Sequence, residues 1–537
     1  MSDLKTYVRE TLERKSVSAI SPSEPGKKAS VLNVQDFRAA TGAPVVLFYP
    51  QTVSGERRSI YDEGFDSRAP LPLLALAGPL EQAGYRVKII DAIMEPDVEQ
   101  AVLRSLDGAI CFGVSCTAGY QLYQALEVTR LVRGKYPSLP IIWGGWFPSM
   151  LTTPTIEDPD VDIVVRGQGE ATFLELVYRL SRNLPIDDVR GIAYKKEGRV
   201  VVTPERPIVD INSTPPLPYH LIDVNAHLEA GLPHDGKRTI SYYSSYGCPY
   251  QCTFCSNDAL FGPRWYALSP ERVVDDIERL VKTWGVTKII LDDANYFVSV
   301  KRVREICELI VNRGLDGKFE WETTGTANVI SRFDEETLQL LKRSGCSGIF
   351  IGAETGSREL MEVFKKPITG EQTLGAAEAL GRHGITPHIS FVIGVPGEPE
   401  EALDDTLDLV GKIYRANPRA NIFLFYFTPL PGVRLSNSPQ THEMTLDVPQ
   451  DLTQWSTHGA SGFYSNYGVR QFLSPAYRKK VDRAKGLMFL MYRERVSSRK
   501  NFLTTILKRI ALFRLQHELL GFPVVENRIW RYARLDN

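Results

Sequence analysis

The chain has 537 residues, 43% hydrophobic and 24% charged, with a net charge of −1. That is longer than one hydrophobic core supports and too balanced for the basic footprint of a nucleic-acid binder. No apolar run approaches the roughly 18 residues of a membrane helix, and the polar N-terminal stretch lacks the apolar core of a signal peptide. Seven cysteines, three of them clustered, suit a reducing cytosol rather than a disulfide framework, so a cytoplasmic protein, at most peripheral to a membrane, is expected.

In chain order, residues 1–40 form an extension: a short helical stretch, Leu4–Lys15, then the linker composition Ser21-Pro-Ser-Glu-Pro-Gly-Lys-Lys28. In residues 41–190, apolar strands at Val45–Phe48, Tyr85–Ile90, Gly108–Val114, Pro140–Trp143 and Val161–Val165 alternate with helices at Leu71–Ala83, Val98–Ser105 and Tyr120–Tyr136. This alternation predicts a parallel, doubly wound, Rossmann-like α/β domain. Residues 191–237 read as a connector, with a hairpin turned at Glu197-Gly198 and a proline-rich crossing at Thr214–His220. His220, His227 and His234 lack metal-ligand helix spacing and read as surface or linker residues.

Residues 238–435 carry six strand–helix repeats. The strands are Thr239–Ser244, Lys288–Leu291, Phe319–Thr324, Gly348–Gly352, His388–Gly394 and Asn421–Phe427. They predict an incomplete TIM-like barrel with function at the carboxyl ends of its strands. Residues 436–537 read as a mainly helical substrate or lid domain. Gln450–Phe472 is a loop-rich aromatic stretch with Trp455, His458, Tyr464 and Tyr467, and helices are expected at Tyr477–Tyr492 and Lys500–Leu520. From Arg478 to Arg534 there are fifteen Lys or Arg against four Asp or Glu. That bias fits a helix lying on anionic lipid, an anionic substrate, or simply a solvated face packed on the barrel.

After the first barrel strand stands Cys248-Pro-Tyr-Gln-Cys252-Thr-Phe-Cys255, a C-x3-C-x2-C spacing. Three thiolates on one loop can ligate three irons of a 4Fe–4S cluster and leave the fourth open; a zinc knuckle with a remote fourth ligand is the alternative. The motif, with Phe254 before its third cysteine, resembles that of the radical S-adenosylmethionine (SAM) superfamily. The resemblance implies that the cluster chelates SAM and that one electron, from an external reductant of flavodoxin or ferredoxin type, yields a 5′-deoxyadenosyl radical. It further implies that Asp292 or Asp293 meets the methionyl amine, Glu354 the ribose hydroxyls, and the backbone of Ile393, Gly394 and Val395 the adenine. Taken singly, a carboxylate after a strand is more simply a helix N-cap.

Three strand-end loops of the first domain are rich in glycine and hydroxyls: Ser115-Cys-Thr-Ala-Gly119, Gly144-Gly-Trp-Phe-Pro-Ser149 and Arg166-Gly-Gln-Gly-Glu-Ala-Thr172. Ligands of such sheets sit at these ends, although each loop alone reads as an ordinary turn. Together they resemble the cobalamin-binding domain that precedes the barrel in one large radical SAM class. The resemblance implies that Ser115, Thr117, Gly144, Gly145, Trp146, Gly167 and Glu170 hold the corrin. Two departures stand out: no histidine precedes His220, so this domain offers cobalt no lower imidazole, and Phe147 occupies a position often held by histidine. Methylthiotransferases, the rival, need three cysteines here, and only Cys111 and Cys116 occur. The class implies methylation of an unactivated carbon of a small molecule through methylcobalamin. The alternatives are a cobalamin-assisted cyclisation or rearrangement and, more remotely, a non-enzymatic cobalamin sensor.

Overall fold

A computed structural model describes residues 30–51, 69–430, 432–438, 449–460, 473–496, 502–517 and 519. Along β1 (Pro44–Tyr49) successive side chains point to opposite faces. Val46 and Phe48 pack with the helices Val98–Ser105 and Tyr120–Lys135. Val45 and Leu47 pack with Leu71–Gln82 and Glu170–Leu180. Burial on both faces explains why the strand is apolar throughout rather than alternating. It pairs with β2 (Arg86–Asp91) and β3 (Cys111–Ser115), and β4 (Ile141–Gly144) and β5 (Ile163–Val165) extend the sheet beyond β3, all parallel. The hairpin assigned to the connector, β6 (Ile192–Lys196) and β7 (Arg199–Val202), instead joins this sheet antiparallel to β5, giving the order β2-β1-β3-β4-β5-β6-β7.

The second sheet is the expected half-barrel. β8 (Thr239–Tyr242) is followed by a two-stranded ribbon of β9 (Ser245–Gly247) and β10 (Trp265–Ala267). β11 (Lys288–Leu291), β12 (Glu320–Gly325), β13 (Cys346–Glu354), β14 (Thr386–Ile393) and β15 (Asn421–Tyr426) complete a parallel sheet ordered β15-β14-β13-β12-β11-β8. Its helices start at well-made caps, such as Ser269 and Ser299, whose side chains each accept a backbone N–H.

Two C-terminal expectations change. Residues Leu452–Ala460 form a helix, not a loop, and it packs on the first domain rather than over the barrel mouth. The cause is its apolar spacing: Leu452 and Trp455, three residues apart, are buried, with Trp455 edge-on to Phe147 at 5.7 Å. Tyr464 and Tyr467 lie outside the described residues. The helix Pro475–Val496 docks on the barrel core with Tyr477, Val481, Ala484, Met488 and Met491, at helical three- and four-residue spacing. His227 also departs from expectation: it is wholly buried, its Nε2 3.2 Å from Asp91 Oδ2 at the end of β2.

Trp455→Ala should remove about 3 kcal/mol of packing and release its helix from the first domain. Limited proteolysis should then cut within 449–460 at least about tenfold faster, since 1.4 kcal/mol already corresponds to that factor. An unchanged cleavage rate would show that the indole does not anchor this helix.

Candidate active site

The cysteine loop begins where only glycine fits. Gly247 has φ +80°, and a Cβ there would stand 2.2 Å from the Arg264 carbonyl oxygen, so the chain can turn into Cys248 while still paired with β10. Beyond it the loop is tied to the barrel. Thr253 donates its N–H to Phe364 O at 3.0 Å and its hydroxyl to Val363 O at 2.9 Å, and its carbonyl accepts from Leu435 N at 2.8 Å. Phe254 stands edge-on to Phe364 at 5.0 Å beside Val395, Phe427 and Leu435; it packs the loop rather than facing open space.

All three thiols are free, Cys252 buried and Cys248 and Cys255 partly so. Burial pushes the Cys252 thiol up to about 12 and raises Cys255, the neighbouring thiols and Glu354 adding to the shift and Lys366 opposing it. Cys252 and Cys255 therefore share one electrostatic environment that favours the protonated thiol until a cation is supplied. Among the described residues no three of His, Cys, Asp and Glu close around a single ion.

The strand ends separate residues that look alike in the sequence. The buried Asp293 carboxylate accepts from Ser244 N (2.6 Å), Ser244 Oγ (2.6 Å), Ser245 N (3.2 Å) and Ser245 Oγ (2.7 Å). Those four bonds fill its acceptor capacity, so it holds the turn into the cysteine loop, whereas the neighbouring Asp292 is more exposed. Glu354, at the end of β13, has φ +64° on a bulge and pairs with Lys366 Nζ at 2.5 Å. Gly352 makes this possible, because a Cβ there would meet Glu354 Oε1 at 2.1 Å and Lys366 Nζ at 2.6 Å. Such a left-handed non-glycine residue persists only where its surroundings over-determine it. Lys366 was not singled out from the sequence. Its one local sign is Pro367, which forces the helix Arg358–Phe364 to end just before it.

At the end of β14, much of the backbone proposed for adenine is already engaged. Ile393 O accepts from Phe427 N (2.8 Å), Val395 O from Glu398 N (2.9 Å), Val395 N donates to Glu398 Oε2 (2.9 Å) and Gly394 N to the Tyr477 hydroxyl (3.0 Å). Tyr477 thus brings the C-terminal helix into the barrel's strand-end site.

In the first domain, the loops after β3, β4 and β5 converge. Gly145 has φ +98°, and a Cβ there would meet Ser115 Oγ at 2.9 Å and Cys116 O at 2.7 Å. Its glycine therefore serves a crossing of two loops rather than an opening for a ligand. Ser149 ties the remaining pair, donating to Gly145 O (2.7 Å) and accepting from Gly167 N (3.0 Å). Gly144 borders this crossing, Gly167 is open, and Thr117 is exposed with its hydroxyl on Gln121 Oε1 at 2.8 Å. The buried Trp146 indole N–H and Arg166 Nε have no hydrogen-bond partner among the described residues. Unfilled donors at these strand ends fit a ligand rimmed with amide carbonyls, as a corrin is. Glu170 does not face such a ligand: buried, it accepts the Tyr246 hydroxyl at 3.0 Å. Cys111 and Cys116 are buried, and burial raises their thiols. A cavity of about 250 Å³ lies between the two domains, bordered by Arg166, Gly167, Arg206, Cys255, Arg264 and Arg434.

Burial pushes Glu398 up to about 7, the Val395 N–H and the Tyr477 phenol opposing the shift. A carboxyl whose folded value exceeds its unfolded one contributes stability that is present below about pH 4.3 and lost as pH rises through the folded value. Glu398→Gln should therefore gain stability relative to the parent between about pH 5 and about pH 8. Denaturant unfolding at both pH values measures this, and an equal difference at the two would refute it.

Residues 242–410 match the family model of the radical SAM superfamily and residues 68–177 that of the B12 binding domain. An uncharacterized methyltransferase of Pyrococcus horikoshii is 30% identical over 399 residues, covering 73% of this chain and 82% of its own. The anaerobic magnesium-protoporphyrin IX monomethyl ester cyclase of Synechocystis sp. is 25% identical over 479 residues, covering 86% of this chain and 90% of its own. The solved cobalamin-dependent SAM radical enzyme OxsB, with aqua-cobalamin and SAM bound, shares the fold at TM-score 0.70 and 19% identity over 92% of this chain and 75% of that one. Cysteine loop, half-barrel and preceding α/β domain together place the chain in the cobalamin-dependent branch of the radical SAM superfamily.

Proposed function

We propose that the protein is a radical SAM methyltransferase that transfers a methyl group from methylcobalamin to an unactivated carbon of a small molecule. The observation that carries this is the juxtaposition of the two sets of strand ends. Tyr246, two residues before Cys248, is hydrogen-bonded to Glu170 of the first domain, so the cysteine loop and the cobalamin-domain loops share one interface. When bound, the cluster, SAM and cobalamin supply an electron, an adenosyl radical and a methyl group, chemistry no resting side chain provides.

The chain's own residues bind, orient and shield. Cys248, Cys252 and Cys255 supply the cluster's three thiolates, and Phe254 and Thr253 fix their loop. Asp292 is the candidate for the SAM amine and Glu354 for the ribose hydroxyls, with Lys366 as the cation paired with Glu354 in a buried place. Asp293 positions and does not bind. Trp146, Arg166 and Gly167 are the residues best placed for the corrin, with Ser149 and Ser115 holding their loops. An external one-electron donor completes the requirement. Its product alternative, a radical cyclisation without methyl transfer, is favoured by the long alignment with the magnesium-protoporphyrin cyclase.

Anaerobic reconstitution with iron, sulfide, cobalamin and methyl-deuterated SAM, offered to a host extract, tests the reading. Label in a product together with 5′-deoxyadenosine is expected; 5′-deoxyadenosine without S-adenosylhomocysteine would indicate the cyclase. Cys252→Ala should lose cluster iron and 5′-deoxyadenosine together.

We also propose peripheral lipid association through the helix Phe502–Gln516. Ala511 and Leu515 are buried, whereas Ile506, Ile510 and Phe513 are exposed, along with Arg509, at one-turn spacing. No helix among the described residues is long and apolar enough to cross a membrane. Sedimentation with phosphatidylglycerol vesicles should retain the parent at low salt. Equal retention of Ile510→Glu/Phe513→Glu would remove this proposal.

A further inference from the structure

We propose that Tyr246 and Glu170 form a clasp that sets the spacing between the two cofactor-holding loops, with Tyr246 as a positioning residue. This rests on the reading above, in which one loop holds the cluster and the other borders the corrin. The phenol donates to Glu170 Oε1 at 3.0 Å across the domain boundary.

Both partners are held from behind. Glu170 is 5% exposed and opens the helix Glu170–Leu180, so its carboxylate sits at the positive end of that helix. Tyr246 lies in the ribbon opposite Tyr266, its ring stacked with Tyr243 at 4.7 Å and with Phe261 at 6.1 Å. Two aromatic neighbours and burial restrict the swing of that ring. The hydroxyl therefore acts as the end of a rigid strut rooted in β9.

The positions in sequence give the strut its use. Glu170 follows Gly167 by three residues, and Tyr246 precedes Cys248 by two. A shift of the phenol relative to the carboxylate is therefore a shift of one cofactor-holding loop relative to the other. Transfer between bound groups is sensitive to such shifts: a misplacement of about 1 Å can cost on the order of a hundredfold in rate. The adjacent stacked rings resist compression but do not fix lateral register as a directional hydrogen bond does, and the hydrogen bond between Tyr246 and Tyr243 stays within the barrel side.

The test uses the full-length, anaerobically reconstituted protein and four variants: Tyr246→Phe, Glu170→Ala, Glu170→Gln and the double variant Tyr246→Phe/Glu170→Ala. The readout is the magnetic interaction between the reduced cluster and cob(II)alamin by EPR, which depends on their separation and orientation and not on turnover. Iron and cobalamin contents are measured alongside. Tyr246→Phe and Glu170→Ala should load both groups and shift or broaden the interaction. Glu170→Gln, whose amide oxygen accepts the same bond, should keep the parental signal. The double variant should be no worse than either single one, because both remove the same contact. An unshifted signal in Tyr246→Phe and Glu170→Ala would overturn the clasp, as would a Glu170→Gln signal displaced as far as that of Glu170→Ala. Variants that fail to load would overturn it too, since the pair would then serve folding. A parent protein that binds neither iron nor cobalamin would instead defeat the underlying functional reading.

Discussion

The Asp293 carboxylate carries the geometry of the site. By accepting two backbone N–H groups and two hydroxyls from Ser244 and Ser245, it converts the end of a barrel strand into the start of the cysteine loop. Arg302 supports the same turn from below, donating to Ser244 O at 3.0 Å and Leu268 O at 2.8 Å. A buried carboxylate is costly unless its lone pairs are met, and here each is. The first thiol enters the site from this anchored turn, and the loop is then closed by Thr253 and Phe254 against the helix Arg358–Phe364.

Charge is arranged around that loop with the same economy of partners. Burial, with the neighbouring thiols adding to it, raises the Cys252 and Cys255 thiols, and the Lys366 ammonium opposes the shift at both. Lys366 is itself held charged by Glu354. Removing either member would leave the other buried without compensation, which is more damaging than the pair is stabilising. The pair also explains the backbone strain at Glu354 and the absence of a side chain at Gly352. Three oddities of one strand end thus share a single physical cause.

The first domain is tied to the barrel by apolar packing as well as by polar and aromatic contacts, since Leu71, Leu74 and Ala75 of its first helix belong to the barrel's core cluster. Two further apolar clusters lie on the two faces of its own sheet, and one of them recruits Leu452 and Trp455 from beyond the barrel. The C-terminal region therefore serves both halves: one helix anchors on the corrin-side domain, and another brings Tyr477 to the end of β14. A segment that reads as a lid is a brace.

The local pattern of the chain determined a good deal by itself. The period-two and period-3.6 apolar spacing placed the strands and helices of both sheets, because side-chain direction is set by backbone geometry within each element. The three cysteines were legible because they stand within eight residues of one another on a single loop. Tertiary structure alone decided which strand-end carboxylate is consumed by the turn into the cysteine loop. Asp292 and Asp293 are neighbours of identical chemistry, and only the Ser244–Ser245 turn, some fifty residues away in sequence, distinguishes them. The same holds for Glu170 with Tyr246, for the hairpin that completes the first sheet, and for Trp455 on Phe147. In each case the partner is remote in sequence, and no local periodicity records which remote group will satisfy a buried donor, acceptor or ring.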